Sequence, residues 1–197
     1  LEEINAVEGL ERIRLGSLEP RIITERFAER LSKMEKICPH FHLSLQSGSD
    51  SVLKRMNRRY SCSEYYEKVL ILRKYFENAA ITTDIITGFP GETEEQFVQL
   101  TDFLQSHSFD RLGAFAYSQE DDTPAAEMPN QIDEETKQRR LDEVMALQQG
   151  ISLAYNQKRI GTVTEALIEQ VSGDIAYGRT YAEAPEVDGT IMFSLKN

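Results

Sequence analysis

The chain has 197 residues, of which 40% are hydrophobic and 28% are charged, and this balance predicts a folded globular protein rather than a disordered one. Its apolar runs are too short to span a bilayer and its first residues lack the features of a signal peptide, so we expect a cytoplasmic protein with no membrane partner. The net charge of −11 opposes non-specific attraction to nucleic acid. The two cysteines, Cys38 and Cys62, form neither a disulfide framework nor a complete metal site by their spacing.

Strands and helices alternate along the first two thirds of the sequence. Residues 11–17, 41–46, 81–86 and 110–117 alternate apolar and polar side chains or are dense in β-branched ones, which predicts four strands. Helical spacing predicts helices at residues 22–37, 63–76 and 93–106 and a short helical turn at 52–56, with Pro39 beyond the end of the first helix. Thr24 is a predicted cap, and Thr93 with Gln96 forms a capping-box pattern. This alternation predicts a parallel sheet with right-handed crossovers.

The pattern changes after residue 132. Residues 133–160 predict a long helix ended by Gly161, although Gly150 within it lowers helix propensity. From residue 162 onward, three short alternating segments predict an antiparallel module that is too short for a complete five-stranded barrel. We therefore divide the chain into a barrel-like part (1–132), a connecting helix (133–161) and the start of a β-barrel domain (162–197).

The stretch "ITTDIITGFPGETEEQF" joins the third strand to the next helix through a Gly-Pro-Gly turn. Gly88 and Gly91 allow a close backbone approach, and Pro90 fixes the turn. The helix capped by Thr93 presents free N–H groups and a partial positive charge at its amino end. Such a corner suits a carboxylate, a phosphate or a nucleoside hydroxyl, and a tight connection without any ligand is the alternative.

Polar residues also follow the other three predicted strands. They are Ser17 and Glu19 after the first strand, Gln46 and Ser47 after the second, and Tyr117 and Ser118 after the fourth. The carboxyl ends of parallel strands meet on one face of a sheet that curves like a barrel wall, and ligand sites lie there. One binding site built from all four strand ends is therefore predicted.

Four motifs carry a family resemblance: "RLGSLEP", "HLSLQSGSDSVLKRMNRRY", "ITTDIITGFPGETEEQF" and "GAFAYSQEDDTPAA". In this order and spacing they resemble the second half of the radical S-adenosylmethionine (SAM) domain of the methylthiotransferases, and the resemblance covers nearly the whole chain. It implies an α/β fold, the second half of a partial (β/α)6, TIM-like barrel, followed by a truncated TRAM-like antiparallel β module. It also implies a cluster-binding amino-terminal part before Leu1 and further TRAM strands after Asn197.

The resemblance implies radical chemistry and its cofactors. These are S-adenosyl-L-methionine and, in the full-length protein, two 4Fe-4S clusters whose cysteines lie outside this chain, together with an electron donor protein. The cofactors carry the difficult chemistry, and the protein orients them and excludes water. This chain alone is expected to be inactive, and no catalytic residue or metal ligand is assignable within it.

Site residues follow from the resemblance position by position. The implied SAM contacts are Ser17, Glu19, Gln46, Ser47, Asp84, Gly88, Pro90, Gly91 and Glu92, and the implied substrate-side residues are Tyr117 and Ser118. Asp84 shares a strand face with Ile86, so it is either a ligand contact or a buried, paired carboxylate. Asp122 stands where the family usually has glycine, which alters the loop after the fourth strand and its substrate contacts.

Two branches of the family compete for the substrate assignment. "RIRLGSLEP" and "HFHLSLQSGSD" are similar to the MtaB branch, which modifies threonylcarbamoyl-adenosine in tRNA, whereas "FDRLGAFAYS" and "GRTYAEAPEVDGTI" are similar to the RimO branch, which modifies an aspartate of a small-subunit ribosomal protein. Residues 162–197 hold six acidic and two basic residues, a net charge of −4. Such a module suits a basic ribosomal protein better than RNA, so we favour that partner, with tRNA as the alternative.

Other classes of protein stay open from the residues alone. A non-radical barrel enzyme would use Asp84 and Glu92 for acid–base work, and a pure binding module would only hold a partner. His40, His42 and His107 are predicted to be ordinary structural or surface histidines, with the first two at the strand end away from the site. The basic cluster at residues 54–60 either approaches RNA or anionic groups or is a solvated loop.

Overall fold

A computed structural model describes residues 1–196, and its larger part is a four-stranded parallel sheet with the strands in chain order. The strands are β1 (Ile13–Leu18), β2 (Ile37–Leu43), β3 (Ala80–Thr87) and β4 (Arg111–Ala116). The parallel sheet predicted from the strand–helix alternation is confirmed.

Helices cover one face of this sheet, and the last helix follows β4 along the chain. They are α1 (Glu2–Asn5), α2 (Glu25–Ser32), α3 (Asp50–Arg55), α4 (Cys62–Tyr75), α5 (Glu94–His107) and α6 (Glu134–Arg159), with a 3-10 turn at Pro20–Ile22. The Thr24 side chain accepts a hydrogen bond from the Phe27 N–H, and Thr93 and Gln96 form a complete capping box. Both predicted caps are confirmed. The helix predicted from residue 63 is α4, which begins at Cys62 and is capped by Ser61.

The predicted boundary between the first helix and the second strand was wrong. We predicted a helix over residues 22–37 and a strand over 41–46, but α2 ends at Ser32 and β2 begins at Ile37. Proline lacks the N–H of a regular ladder, so Pro39 indicates a break. Ile13 pairs with Ile37 but Leu15 with Phe41, so β2 carries extra residues there and Pro39 lies in an irregular part of the strand.

The main core lies between the sheet and α2, α4 and α5. Alternate strand residues, among them Phe41, Leu43, Ile81 and Ile85, are fully buried on this side. The helices contribute Leu31, Tyr65, Leu72 and Leu100, which are also fully buried or nearly so. Because these strand residues face the helices, their neighbours in sequence face the opposite, inner side of the sheet.

The long helix predicted at residues 133–160 is α6, and it runs through Gly150 without a break. It packs on the last two strands, with Val144 fully buried and the Gln148 side chain donating to the Phe109 carbonyl oxygen at 3.1 Å. After it, β5 (Leu167–Ser172), β6 (Ile175–Arg179) and β7 (Ile191–Ser194) form the predicted antiparallel sheet. No helix within residues 1–196 is long and apolar enough to cross a membrane.

Residues 179–188 of this β module contact the amino-terminal end of the parallel sheet through an ionic junction. The junction comprises Arg14, Arg111, Arg159, Glu183 and Asp188. Buried Glu183 accepts hydrogen bonds from Arg159 at 2.6 Å and from Arg111 at 3.2 Å, while Asp188 lies 3.3 Å from Arg111. Arg14 donates to two backbone carbonyl oxygens of the module, those of residues 180 and 181. The junction thus closes one end of the inner sheet face.

Candidate functional site

The opposite, carboxyl end of the sheet borders an open cavity of about 320 Å³. Its lining residues come from three strand ends and are Gln46, Asp84, Ile86, Phe115, Ala116, Tyr117 and Ser118. Four of the predicted site residues, Gln46, Asp84, Tyr117 and Ser118, therefore meet at one place. Ile86 and the 59%-exposed Phe115 give the cavity an apolar wall beside these polar groups.

Gln46 extends the sheet edge from a strained backbone conformation. Its φ of 75° lies in the left-handed region, which is unusual for a residue other than glycine. Its N–H donates to the Asp84 carbonyl oxygen at 2.8 Å, and its carbonyl oxygen accepts from the Ile86 N–H at 3.0 Å. The Gln46 side-chain oxygen accepts from Arg58 at 3.1 Å. These bonds hold the residue in place at the cavity rim.

Asp84 is both half-exposed in the cavity and paired. Its Oδ2 lies 2.9 Å from His42 Nε2, and His42 Nδ1 lies 3.0 Å from Thr82 Oγ1. A side chain at Gly113 would place its Cβ only 3.1 Å from Asp84 Oδ1, so glycine leaves room for the carboxylate. The sequence left two alternatives for Asp84, a ligand contact or a buried, paired carboxylate. The structure shows the pairing but not the burial, and the ligand contact stays a prediction.

His42 is the residue of this site that the sequence missed. We predicted an ordinary histidine at the start of the second strand, away from the site, but it lies near the end of β2 and opposite Thr82 in the ladder. The error follows from the misplaced strand start. With the correct bounds, alternation puts His42, Thr82 and Asp84 on the same inner face.

Tyr117 joins the cavity to a small second apolar cluster. Its ring packs edge-on against Phe89 with 5.3 Å between centroids, and the Lys137 ammonium lies 5.3 Å from its centroid. The Tyr117 hydroxyl is buried and has no hydrogen-bond partner within residues 1–196. A buried polar group of this kind leaves a hydrogen bond available to a ligand.

The Gly-Pro-Gly turn packs against the chain itself. Gly88 has a φ of +71°, and a Cβ there would lie 2.4 Å from Lys137 Cγ of α6. Glu92 is buried; its Oε1 accepts from the Gly88 N–H at 2.9 Å and from Arg140 at 2.8 Å. Burial raises the pKa of Glu92 above its usual range, and the bonds from Gly88 and Arg140 only partly offset this effect. The bare backbone therefore serves the contact between this turn and α6.

The remaining predicted site residues lie outside the cavity lining. Ser17 and Glu19 are exposed at the end of the edge strand β1, and Ser17 has a φ of 51°. Ser47 is fully buried, and its hydroxyl accepts from the Ser49 N–H at 3.2 Å. Pro90 is buried, and the N–H of Gly91 donates to the residue 130 carbonyl oxygen at 2.9 Å.

Asp122 also has a left-handed backbone, with a φ of 61°. This conformation is the one that glycine adopts without steric cost, which gives a physical reason for a glycine at this position. Aspartate is among the residues that tolerate it best. The chain therefore keeps the turn after β4 at a cost in backbone strain.

The other histidines and the cysteines form no metal site. No group of three or more His, Cys, Asp or Glu side chains within residues 1–196 is placed to hold a metal ion. Burial, aided by nearby Arg14, lowers the pKa of His40 to about 4. His107 Nδ1 donates to the Phe103 carbonyl oxygen at 2.8 Å. Both cysteines are free thiols.

The basic cluster at residues 54–60 is anchored to the sheet. The Tyr60 hydroxyl donates to the Ser44 carbonyl oxygen at 2.7 Å, and Arg55 donates to the Gln96 side chain at 2.8 Å. Arg58 reaches Gln46 at the cavity rim. These bonds hold the cluster beside the site, and its two predicted alternatives, an approach to RNA or anionic groups and a solvated loop, stay predictions.

The acidity of the β module is mostly neutralised within the chain. Glu165 pairs with Arg12, Glu169 with Arg179, and Asp174 with Lys196. Glu183 and Asp188 point into the ionic junction. The net charge of −4 for residues 162–197 already includes Arg179 and Lys196. It omits Arg12, Arg111 and Arg159, which lie outside that range and pair with Glu165, Glu183 and Asp188, so the count overstated the acidity available to a basic partner.

Comparison with known proteins identifies the class. Residues 1–104 match the profile of the radical SAM superfamily, and residues 160–197 match that of the TRAM domain. Coproporphyrinogen III oxidase (HemN) from Escherichia coli, a radical SAM enzyme, is similar in fold over 71% of this chain and 32% of that chain, with a TM-score of 0.60 and 20% identity. The chain belongs to the radical SAM superfamily, and the predicted fold class is confirmed.

The chain is also similar in sequence to ribosomal protein uS12 methylthiotransferases named RimO. The relative from Clostridioides difficile (strain 630) is 43% identical over 192 residues, covering 97% of this chain and 43% of its own length. Those from Clostridium botulinum (strain Loch Maree / Type A3) and Alkaliphilus oremlandii (strain OhILAs) are 42% and 40% identical over 193 residues, covering 98% and 97% of this chain. The chain spans less than half the length of these curated relatives. The similarity to RimO includes the amino half, where the motifs resembled the tRNA branch.

Proposed function

We propose that this chain is part of a methylthiotransferase that adds a methylthio group to an aspartate of ribosomal protein uS12 by radical SAM chemistry. The similarity to RimO over nearly the whole chain is the observation that carries the proposal. The cavity at the carboxyl ends of β2–β4 supports it, since this is the edge of a parallel barrel sheet where ligands bind. An enzyme that modifies a ribosomal protein works beside ribosomes, so we place it in the cytoplasm.

The cavity residues fit S-adenosylmethionine. Ile86 and Phe115 offer an apolar surface for a flat base, and Asp84 and Gln46 offer oxygens to hydroxyl or ammonium groups. The unpartnered Tyr117 hydroxyl adds a further polar contact at the same edge. We therefore assign cofactor binding first to Asp84 and Gln46, and substrate contacts to Tyr117 and Ser118.

The remaining predicted residues support the site from outside the cavity. Gly88, Pro90, Gly91 and Glu92 hold the turn between β3 and α5 against α6, which sets the position of the strand end that carries Asp84. Ser17, Glu19 and Ser47 stay predictions as contacts from neighbouring strand ends.

The division of labour follows from these residues. When bound, S-adenosylmethionine would supply the radical that removes a hydrogen atom from the substrate, and the iron–sulfur clusters of the full-length protein would supply the electron and help to deliver the methylthio group. This chain orients the cofactor against its apolar wall and presents the substrate at the Tyr117 side. We further propose two 4Fe-4S clusters held by cysteines outside this chain, an external electron donor protein, and the division at residues 132 and 161.

The test uses the complete gene product that carries this sequence, reconstituted anaerobically with iron and sulfide. It is given S-adenosylmethionine and a reductant with uS12 or unmodified tRNA in parallel, and mass spectrometry detects methylthio addition. We expect addition to the uS12 aspartate, abolished by Asp84→Ala and retained by Asp102→Ala, an exposed carboxylate on α5. Addition to the tRNA alone would assign the enzyme to the other branch, and no iron-dependent product on either would refute the proposal.

A further inference from the structure

We propose that His42 is a positioning residue of the cofactor site, which holds the Asp84 carboxylate so that its Oδ1 faces the ligand. The inference rests on the proposed function, because it takes the cavity beside Asp84 as the cofactor site. His42 was not among the residues that the sequence assigned to the site. Its contact with Asp84 at 2.9 Å is the observation that singles it out.

The hydrogen bonds define a short chain across two paired strands. His42 and Thr82 are directly opposite in the β2–β3 ladder, and Asp84 follows two residues later on the same face. A carboxylate can only accept, so His42 Nε2 donates to Asp84 Oδ2. In the neutral ring, Nδ1 then accepts from the Thr82 hydroxyl, which lies 3.0 Å away. The Asp84 carboxylate thus sets the tautomer, and the bond to Thr82 holds the orientation of the ring.

Asp84 needs such support because its surroundings constrain it little. Its side chain is 35% exposed, and Gly113 leaves the space beside Oδ1 open. Within residues 1–196, the hydrogen bond to this carboxylate comes from His42. Without that bond the carboxylate can turn into the open cavity and hydrate, so the ligand would have to order it on binding. A held carboxylate avoids this ordering cost.

The experiment measures equilibrium binding rather than turnover. S-Adenosylmethionine is titrated by calorimetry into the anaerobically reconstituted complete enzyme without reductant, for wild type, His42→Leu, His42→Gln, Asp84→Asn and the double variant His42→Leu/Asp84→Asn. We expect His42→Leu to raise Kd on the order of 10-fold, the worth of one hydrogen bond to a charged group. His42→Gln, whose amide N–H can replace Nε2–H, should recover most of the affinity.

The double variant separates positioning from direct contact. If His42 acts through Asp84, His42→Leu adds no further loss to Asp84→Asn, whereas independent contacts would multiply their effects. His107→Leu, which removes a histidine outside the cavity, should bind like wild type. Unchanged binding in His42→Leu, failure of glutamine to rescue, or multiplied losses would each overturn the inference. Absence of binding in wild type would instead refute the proposed function.

Circular dichroism shows whether His42→Leu folds. If it does not, a second variant, Thr82→Val, tests the same inference. Thr82→Val leaves His42 and Asp84 in place but removes the group that orients the imidazole ring. We expect a Kd increase of about 3-fold, smaller than the loss of the whole bond. Binding identical to wild type in Thr82→Val, with a wild-type circular dichroism spectrum, would also contradict the inference.

Discussion

The two ends of the parallel sheet differ in the partners of their carboxylates. At the amino end, Glu183 and Asp188 lie beside Arg111 and Arg159 in the ionic junction. At the carboxyl end, Asp84 has His42 as its hydrogen-bond partner, and its side chain is 35% exposed beside the cavity. The carboxylates of the amino end are therefore paired inside the chain, whereas the carboxylate of Asp84 stays partly exposed.

Two histidines of β2 show the same contrast at a distance of two residues. His40 is buried beside the junction, where burial lowers its pKa to about 4 and keeps it neutral. His42 lies on the same face but beside the cavity, where it hydrogen-bonds to Asp84. Position along the strand, and not residue type, therefore decides which histidine lies at the junction and which lies beside the cavity.

The largest effect is expected from removing the central carboxylate of the junction. Glu183→Ala leaves Arg111 and Arg159 without their shared partner, and breaking a buried ion pair in this way costs about 3–5 kcal/mol. Urea unfolding followed by circular dichroism measures the loss. Glu186→Ala, an exposed acid in the same loop, should change the free energy of unfolding by at most about 0.5 kcal/mol. Equal effects of the two variants would show that the junction does not stabilise the fold.

Alanine substitutions at two glycines test the packing of the turn between β3 and α5. Gly88→Ala forces a side chain into a left-handed backbone and against Lys137, which should lower the free energy of unfolding by about 2–4 kcal/mol. Gly150→Ala, with open space around its Cβ in α6, should raise it by about 0.5–1 kcal/mol. Thermal unfolding of both variants checks the opposite signs, and a harmless Gly88→Ala would contradict the packing described for the turn.

The junction should also weaken in acid. Burial alone raises the pKa of Glu183, but hydrogen bonds from Thr180 and Arg159 outweigh it, so the pKa lies below its usual range. A depressed pKa stabilises the fold above the unfolded value of about 4.3, and this contribution is lost as pH falls through the folded pKa. Stability measured from pH 6 down to pH 3 should fall less steeply in Glu183→Gln than in wild type. Parallel curves would rule out Glu183 as a source of the pH dependence.

The smallest effect concerns the strained turn after β4. Asp122→Gly relieves the left-handed backbone, and we expect the free energy of unfolding to rise by about 0.5–1 kcal/mol. Thermal unfolding measures it, with Asp121→Gly as the neighbouring control, since Asp121 is not among the residues with positive φ. A loss of stability in Asp122→Gly would show that the aspartate side chain contributes more than its backbone conformation costs.

Much of the fold was predictable because it depends on local patterns. Apolar periodicity and capping residues such as Thr24 and Thr93 located most elements, and glycines and prolines indicated the turns. Pro39 misled the prediction because its place in a strand depends on the irregular pairing of β1 with β2. That error concealed His42, whose contacts with Thr82 and Asp84 form only when the partner strand lies beside it.

By itself the sequence determined the strand–helix alternation, the antiparallel module and the family motifs, because these reside in residue type and spacing along the chain. Only the tertiary structure decided which predicted residues meet in the cavity, that Gly88 faces α6, and that Glu183 and Asp188 point inward. Such facts depend on register and on contacts between residues distant in sequence. Charge and residue identity can be counted from the chain, but pairing and burial exist only after it folds.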